Sequence, residues 1–133
     1  MSPEVMRNIV HRFAVETWGQ GNLAVFDEVC APNYVLGGTI GGNFTLQDLK
    51  DSVTQTRQAV PNLQIAIEEM IVEGDKVAYR WKMEGTHEGE FEGIAATHRP
   101  VSATGITILH FANGKIVHDS FESSSPSLKD QIS

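Results

Sequence analysis

The sequence predicts an α+β domain in which three helices precede an antiparallel meander of strands. Three observations predict it. Apolar residues recur at helical spacing up to Val60. From Leu63 onward they alternate with polar ones, which is strand spacing. The helical and stranded stretches are segregated along the chain, which argues against a doubly wound parallel sheet. The 133 residues fit one domain, 1–133, without internal repeat or linker. A chain of this size buries about two thirds of its unfolded surface, enough for a core and one enclosed cavity.

Ser2 is expected to cap the first helix, with Pro3 at its first position. Met6, Ile9, Val10, Phe13 and Trp18 give it one apolar face, and Gly19 and Gly21 end it. Asn22 is expected to cap a second helix, Leu23 to Cys30, stopped by Pro32. Tyr34-Val35-Leu36 reads as a short strand. Gly37-Gly38-Thr39-Ile40-Gly41-Gly42 holds four glycines in six residues and cannot form a regular element cheaply. It reads as a loop near a pocket mouth, either a lid or a plain connector. Thr45 caps the third helix, which runs to about Val60 before Pro61.

In the stranded half, Ile65, Ile67 and Ile71 are expected on one face, and Glu73-Gly74-Asp75 turns the chain. Val77, Tyr79, Trp81 and Met83 form the bulky inner face of the next strand. Gly85 to Arg99 is irregular. Val101 to Phe111 and Lys115 to Ser123 form a long hairpin, followed by a helical turn, Ser127 to Gln131, that starts at Pro126.

Ten basic and seventeen acidic residues give a net charge of −7. That balance offers no basic stripe for nucleic acid and no attraction to anionic membrane surfaces. The start of the chain lacks a signal pattern, and no apolar run approaches the ~20 residues of a membrane span. A cytoplasmic enzyme or binding protein is expected. The single Cys30 excludes an internal disulfide and lies in an apolar run, as a buried structural thiol would. The five histidines form no metal-ligand spacing, and no Gly-x-Ser-x-Gly elbow is present.

Register in the last hairpin decides which side chains face a pocket. With Asn113-Gly114 as a two-residue turn, His110 pairs with Val117. With Ala112-Asn113-Gly114 as the loop, Phe111 pairs with Lys115 and Ile106, Ile108, His110, Ile116, His118, Ser120, Glu122 and Ser124 share one face. The second register gathers three isoleucines and sets both histidines beside Glu122, and it is the one expected. That face would then be a pocket wall, apolar at one end and polar at the other, suited to a hydrophobic small molecule. A histidine beside a carboxylate can move protons near neutral pH. Trp18, Tyr34, Tyr79, Trp81 and Met83 complete the expected lining: the two tryptophans as core or stacking platforms, Tyr34 as donor to a ligand oxygen or a backbone carbonyl. Arg80 points outward, towards a salt bridge or a subunit contact. Asp119 falls on the side away from the pocket, which counts against epoxide hydrolysis. Glu122 near Tyr34 or Tyr79 would suit a steroid-isomerase-like role.

Several phrases of the chain carry a family resemblance. They are Arg12-Phe13 with Trp18-Gly19-Gln20-Gly21-Asn22, Asp27-Glu28, Pro61-Asn62-Leu63 and Glu73-Gly74-Asp75-Lys76-Val77. They continue with Gly85-Thr86-His87-Glu88-Gly89-Glu90-Phe91-Glu92-Gly93-Ile94, Arg99 to Ile106, and Asn113-Gly114-Lys115-Ile116-Val117. Together these resemble the SnoaL-like polyketide cyclases of the nuclear-transport-factor-2-like superfamily. The resemblance implies a cone-shaped, strongly curved sheet closed by the N-terminal helices around an internal pocket. It also implies a homodimer or higher assembly through the outer sheet face, an organic substrate, and neither metal nor cofactor. Such cyclases close a ring by aldol chemistry, with an inward carboxylate as base and a histidine, here His110, at the oxyanion. The places of the family's Glu, Trp and Asp after Gly-Lys-Ile-Val hold His118, Ser120 and Ser124. Three readings follow: an enzyme for cyclisation or isomerisation with Glu122 or His110 as base and Ser124 in the aspartate's place, a non-catalytic ligand-binding protein, or a scaffold protomer.

Overall fold

A computed structural model describes residues 1–37 and 44–133. The predicted α+β class is what it shows. Ser2 accepts from the Val5 amide at 3.2 Å and caps α1 (Pro3–His11), as expected. The helix does not simply run on to Trp18: residues Arg12–Gly19 form a π-helical continuation. Within it Thr17 is fully buried and its hydroxyl donates back to the Phe13 carbonyl. Such back-bonding competes with the ordinary ladder and suits a widened turn.

The end of that stretch is satisfied from α3 (Leu46–Ala59), whose Arg57 donates to the Trp18 and Gly19 carbonyls at 2.8 and 3.0 Å. Arg57→Ala is therefore expected to lower stability by about 2 kcal/mol, since a charged donor to two helix-end carbonyls is lost. Urea unfolding reads this as a lower midpoint at unchanged m. The α3 start carries the expected Thr45 cap, closed by Asp48 into a reciprocal capping box. The α2 helix (Ala24–Val29) begins after Leu23 with no side-chain cap, so Asn22 does not serve as one.

The strands are β1 (Cys30–Leu36), β2 (Gln64–Glu73), β3 (Lys76–Thr86), β4 (Pro100–Ala112) and β5 (Lys115–Glu122), in the order β1-β5-β4-β3-β2. β2 to β5 form the expected meander. β1 is longer than the sequence suggested and joins β5 in parallel, where an all-antiparallel sheet was expected. A short α4 (Leu128–Ile132) follows, capped by Ser127. The expected lid or connector at Gly37–Gly42 lies, apart from Gly37, outside the described residues.

Two bulges set which side chains face the helices. One falls between Ile67 and Glu69 in β2, so Ile71 leaves the face of Ile65 and Ile67 and becomes 60% exposed. The other lies in β5. Asn113 and Gly114 both have positive φ, 51° and 79°, as a two-residue I′ turn requires. Ala112 then pairs with Lys115 and Phe111 with Ile116, not with Lys115 as expected. Val117 is the extra residue, and pairing resumes at His110 with His118.

The core lies between the α-helices and the inner sheet face. Val10, Phe13 and Phe26 meet Tyr79, Leu109, Phe111 and Ile116 there. A second cluster of Ala59, Val60, Leu63, Val101 and Ile132 sits at the other end of α3. Among the described residues no helix is long and apolar enough to cross a membrane.

Candidate functional site

The β5 bulge brings Asp119 inside. Thr107, Leu109, Phe111, Ile116, Asp119 and Phe121 face the helices, while Ile106, Ile108, His110, His118, Ser120 and Glu122 face out. The expectation that His110 and Glu122 line the internal cavity is thus corrected, as is the placing of Asp119 outside. The cross-strand neighbours also differ from those of the expected register: His110 lies opposite His118 rather than Ile116, and Ile106 opposite Glu122 rather than Ser120, all on the outer side of the sheet. Ile106 and Ile108 are 52% and 40% exposed. Glu122 ends β5 and is exposed, and Ser124 lies beyond the strand, also exposed. Of the residues assigned to the lining, Trp18, Tyr34, Tyr79, Trp81 and Met83 do face the interior.

The central cavity has a volume of about 270 Å³ and lies between α3, the π-helical stretch and the inner sheet face. Its wall is mostly apolar: Phe13, Trp18, Phe44, Leu49, Trp81 and Phe121 are part of it. Tyr79, Thr107, Ser52 and Asp119 supply the polar groups. Asp119 is only 5% exposed. Its Oδ2 accepts from the Tyr34 hydroxyl at 2.8 Å, and its Oδ1 has no hydrogen-bond partner among the described residues. Burial pushes its pKa up to about 6, and the Tyr34 hydrogen bond holds the value lower than burial alone would.

Around the carboxylate the other groups stay neutral. Burial first, and then the Asp119 charge, raise Tyr34, Tyr79 and Cys30, with the thiol pushed up to about 12. Cys30 is buried, as the apolar run around it predicted, and is no nucleophile. Trp81 donates its indole N–H to Thr107 Oγ1 at 2.9 Å, and Thr107 is the register partner of Tyr79 on β4. Trp81 can lie there because its register partner on β4 is Gly105: a Cβ at that position would meet the indole at 2.4 Å.

The remaining polar candidates are structural. Arg80 points outward and pairs with Glu69 at 3.2 Å, as its parity predicted. His87 is fully buried. Its Nδ1 accepts from the Thr97 amide at 3.1 Å, which puts the proton of the neutral ring on Nε2 and pins the irregular Gly85–Arg99 segment. His98 pairs with Glu88 at the surface. Among the described residues no three metal-ligating side chains converge.

Sequence reasoning missed Asp119 because both faces of the hairpin are equally apolar. One signal could have found it. A strand whose inner face carries Trp81 needs room on its neighbour, and Gly105 supplies it. Gly105 shares parity with Thr107 and Leu109, so that parity is the inner one.

A sequence model described as SnoaL-like polyketide cyclase matches residues 8–122. Among solved structures, AclR of Streptomyces galilaeus, provisionally named a hydroxylase, superposes with a TM-score of 0.86 at 24% identity, covering 98% of this chain and 97% of that one. A provisionally named SnoaL-like polyketide cyclase from Jannaschia sp. CCS1 gives 0.83 at 20% identity, covering 99% and 95%. A provisionally named polyketide cyclase from Bacillus cereus ATCC 10987 gives 0.81 at 26%, covering 99% and 85%. No curated protein matches the chain in sequence.

Proposed function

The chain belongs to the SnoaL-like polyketide cyclase family, and on that premise we propose that it catalyses an acid–base cyclisation or isomerisation of a hydrophobic molecule carrying an enolisable carbonyl, with Asp119 as the proton-transferring group. One observation carries the reading: a buried carboxylate with one oxygen bound by Tyr34 and the other unpartnered, in the wall of an apolar cavity. Asp119 takes a proton from the carbon next to a carbonyl, and the electron pair moves through the new C=C bond onto the oxygen. The Tyr79 hydroxyl, kept neutral by burial and part of the cavity wall, is the donor we assign to that oxyanion. In a cyclisation the enolate carbon then attacks a second carbonyl of the same molecule, and the proton on Asp119 passes to the new alkoxide. In an isomerisation it returns to a different carbon. No step needs His110, Glu122 or Ser124.

The test is deuterium uptake from solvent at the activated carbon of alkane-2,4-diones, measured above the buffer rate. A base with a pKa near 6 gives kcat/KM that rises with pH and levels off above neutrality. Tyr34→Phe removes the bond that favours the charged form. The rising limb should move to higher pH, with the rate below pH 6 falling most. A limb that stays in place would show that Asp119 is not the titrating base. A ligand-binding role without catalysis is favoured by Ser124 at the place of the family aspartate, and it predicts dione binding with no exchange above buffer.

We also propose self-association through the outer sheet face. Ile71, Ala78, Ile108 and Ser120 form one row across it, and Ile106 lies beside them between Arg80 and Glu122. Three large apolar side chains at 40–60% exposure on one face suit a covered surface. Ile106→Asp with Ile108→Asp should shift the protein to monomer in sedimentation velocity while leaving dione affinity unchanged.

A further inference from the structure

A second cavity, about 260 Å³, lies beside the first. The two share Trp81, Met83 and Phe121 as a common wall. Their linings follow one another along the chain: on α3, Leu49 and Ser52 line the first, Thr56 the second; on β5, Asp119 lines the first, and Ser123, just past the end of β5, lines the second. They are therefore successive parts of one trough, divided by an indole, a thioether and a phenyl ring. Ligand cavities typically hold ~300–1,000 Å³; each part falls short of that range and the two together fall within it.

The second part is floored by Val60, Leu63, Val101 and Ala103 and closed by Leu128 of α4. Most of its polar side chains are already engaged, Glu84 with Lys82 at 3.2 Å and the following four with backbone. Ser123 Oγ donates to the Thr104 carbonyl and Ser125 Oγ accepts from the Thr104 amide. Ser127 Oγ accepts from the Asp130 amide, and Gln131 donates to the Ser102 and Pro126 carbonyls. What this chamber offers a ligand is apolar contact.

We infer that the second chamber is a subsite for an unbranched or flat apolar arm of the ligand, reached past Trp81, Met83 and Phe121 from the head bound at Asp119. Of the wall residues, Met83 is the adaptable one, with an unbranched side chain that can shift to admit an arm. The inference rests on the reading that the reacting head sits at Asp119. The substrate class is thereby narrowed to an enolisable carbonyl compound with a long apolar extension, not a compact bicycle.

The experiment is a series of alkane-2,4-diones with arms from ethyl to decyl, titrated calorimetrically against the wild-type protein, Ala103→Leu and Leu128→Trp. In the wild type, affinity should tighten about three- to fourfold per methylene well beyond butyl, the gain for burying a methylene. Both substitutions reduce the second chamber, so the gain should stop near butyl in each. Wild-type affinity that levels off at butyl, or variants that keep the wild-type slope, would overturn the inference. Deuterium exchange followed in the same samples separates the two readings. Length dependence without exchange sinks the acid–base assignment and leaves the subsite standing. Exchange without length dependence does the reverse.

Discussion

Asp119→Asn should lose proton transfer by two to four orders of magnitude and gain stability at neutral pH. The first part follows from removing a general base. The second follows from linkage. Asp119 has a folded pKa near 6, above the ordinary carboxylate value of 3.8. Between those values the folded state binds the extra proton, so stability falls as pH rises from about 4 to about 6 and stays reduced above. A shift of that size corresponds to roughly 2–3 kcal/mol of ionisation cost at pH 7. Asparagine keeps an acceptor for the Tyr34 hydroxyl and never ionises, so most of that cost disappears. Urea unfolding at pH 8 and pH 4 tests the claim: the variant should be more stable than wild type at pH 8, and the gap should close at pH 4. An equal gap at both values would rule out ionisation as its cause. The pairing of lost activity with gained stability is what a functional carboxylate in an apolar wall should show.

Gly105→Ala should be strongly disruptive for so small a substitution. The added carbon would meet Trp81 Cζ2 at 2.4 Å and the Glu122 carbonyl oxygen at 2.8 Å. The first contact forces the indole away from Thr107, and the second presses on the β5 backbone. Overpacking of this kind costs about 1–3 kcal/mol, and the backbone contact puts this case at the upper end. The melting temperature should fall by about 10 °C. Because Trp81 also divides the two chambers, its fluorescence and the dione affinities should change together. A variant with wild-type stability and spectrum would mean that the indole moves aside freely.

How much of this the sequence disclosed depended on whether a local rule was in competition. The caps at Ser2 and Thr45 and the inner row Val77-Tyr79-Trp81-Met83 were legible because nothing opposed them. The π-helical turn was not, since it depends on buried Thr17 and on Arg57 reaching across from another helix. Strand membership of the last hairpin was legible, but its facing was not. Ile106-Ile108-His110 and Thr107-Leu109-Phe111 are rival faces of similar hydrophobicity, and three isoleucines looked like core. The tight Asn113-Gly114 turn is legible in the sequence, but the bulge at Val117 is not, and it takes both to obtain the pairing observed. The family's usual pattern pointed to Ser124, whereas the interior carboxylate lies five residues earlier. Tyr34 was recognised as a donor, but its acceptor could not be named before β1 was known to lie against β5.

That parallel pairing has a kinetic consequence. The bond from Tyr34 to Asp119 spans 85 positions of the chain, and it exists only once the first strand has docked on the last. Loop closure over so long a span is entropically unfavourable, so such contacts tend to form late. During refolding, a species with the β2–β4 meander zipped but β1 still free would have most of its strand signal and no working site. Recovery of the proposed dione exchange should therefore lag recovery of circular dichroism, making that exchange a clock for the final closing event.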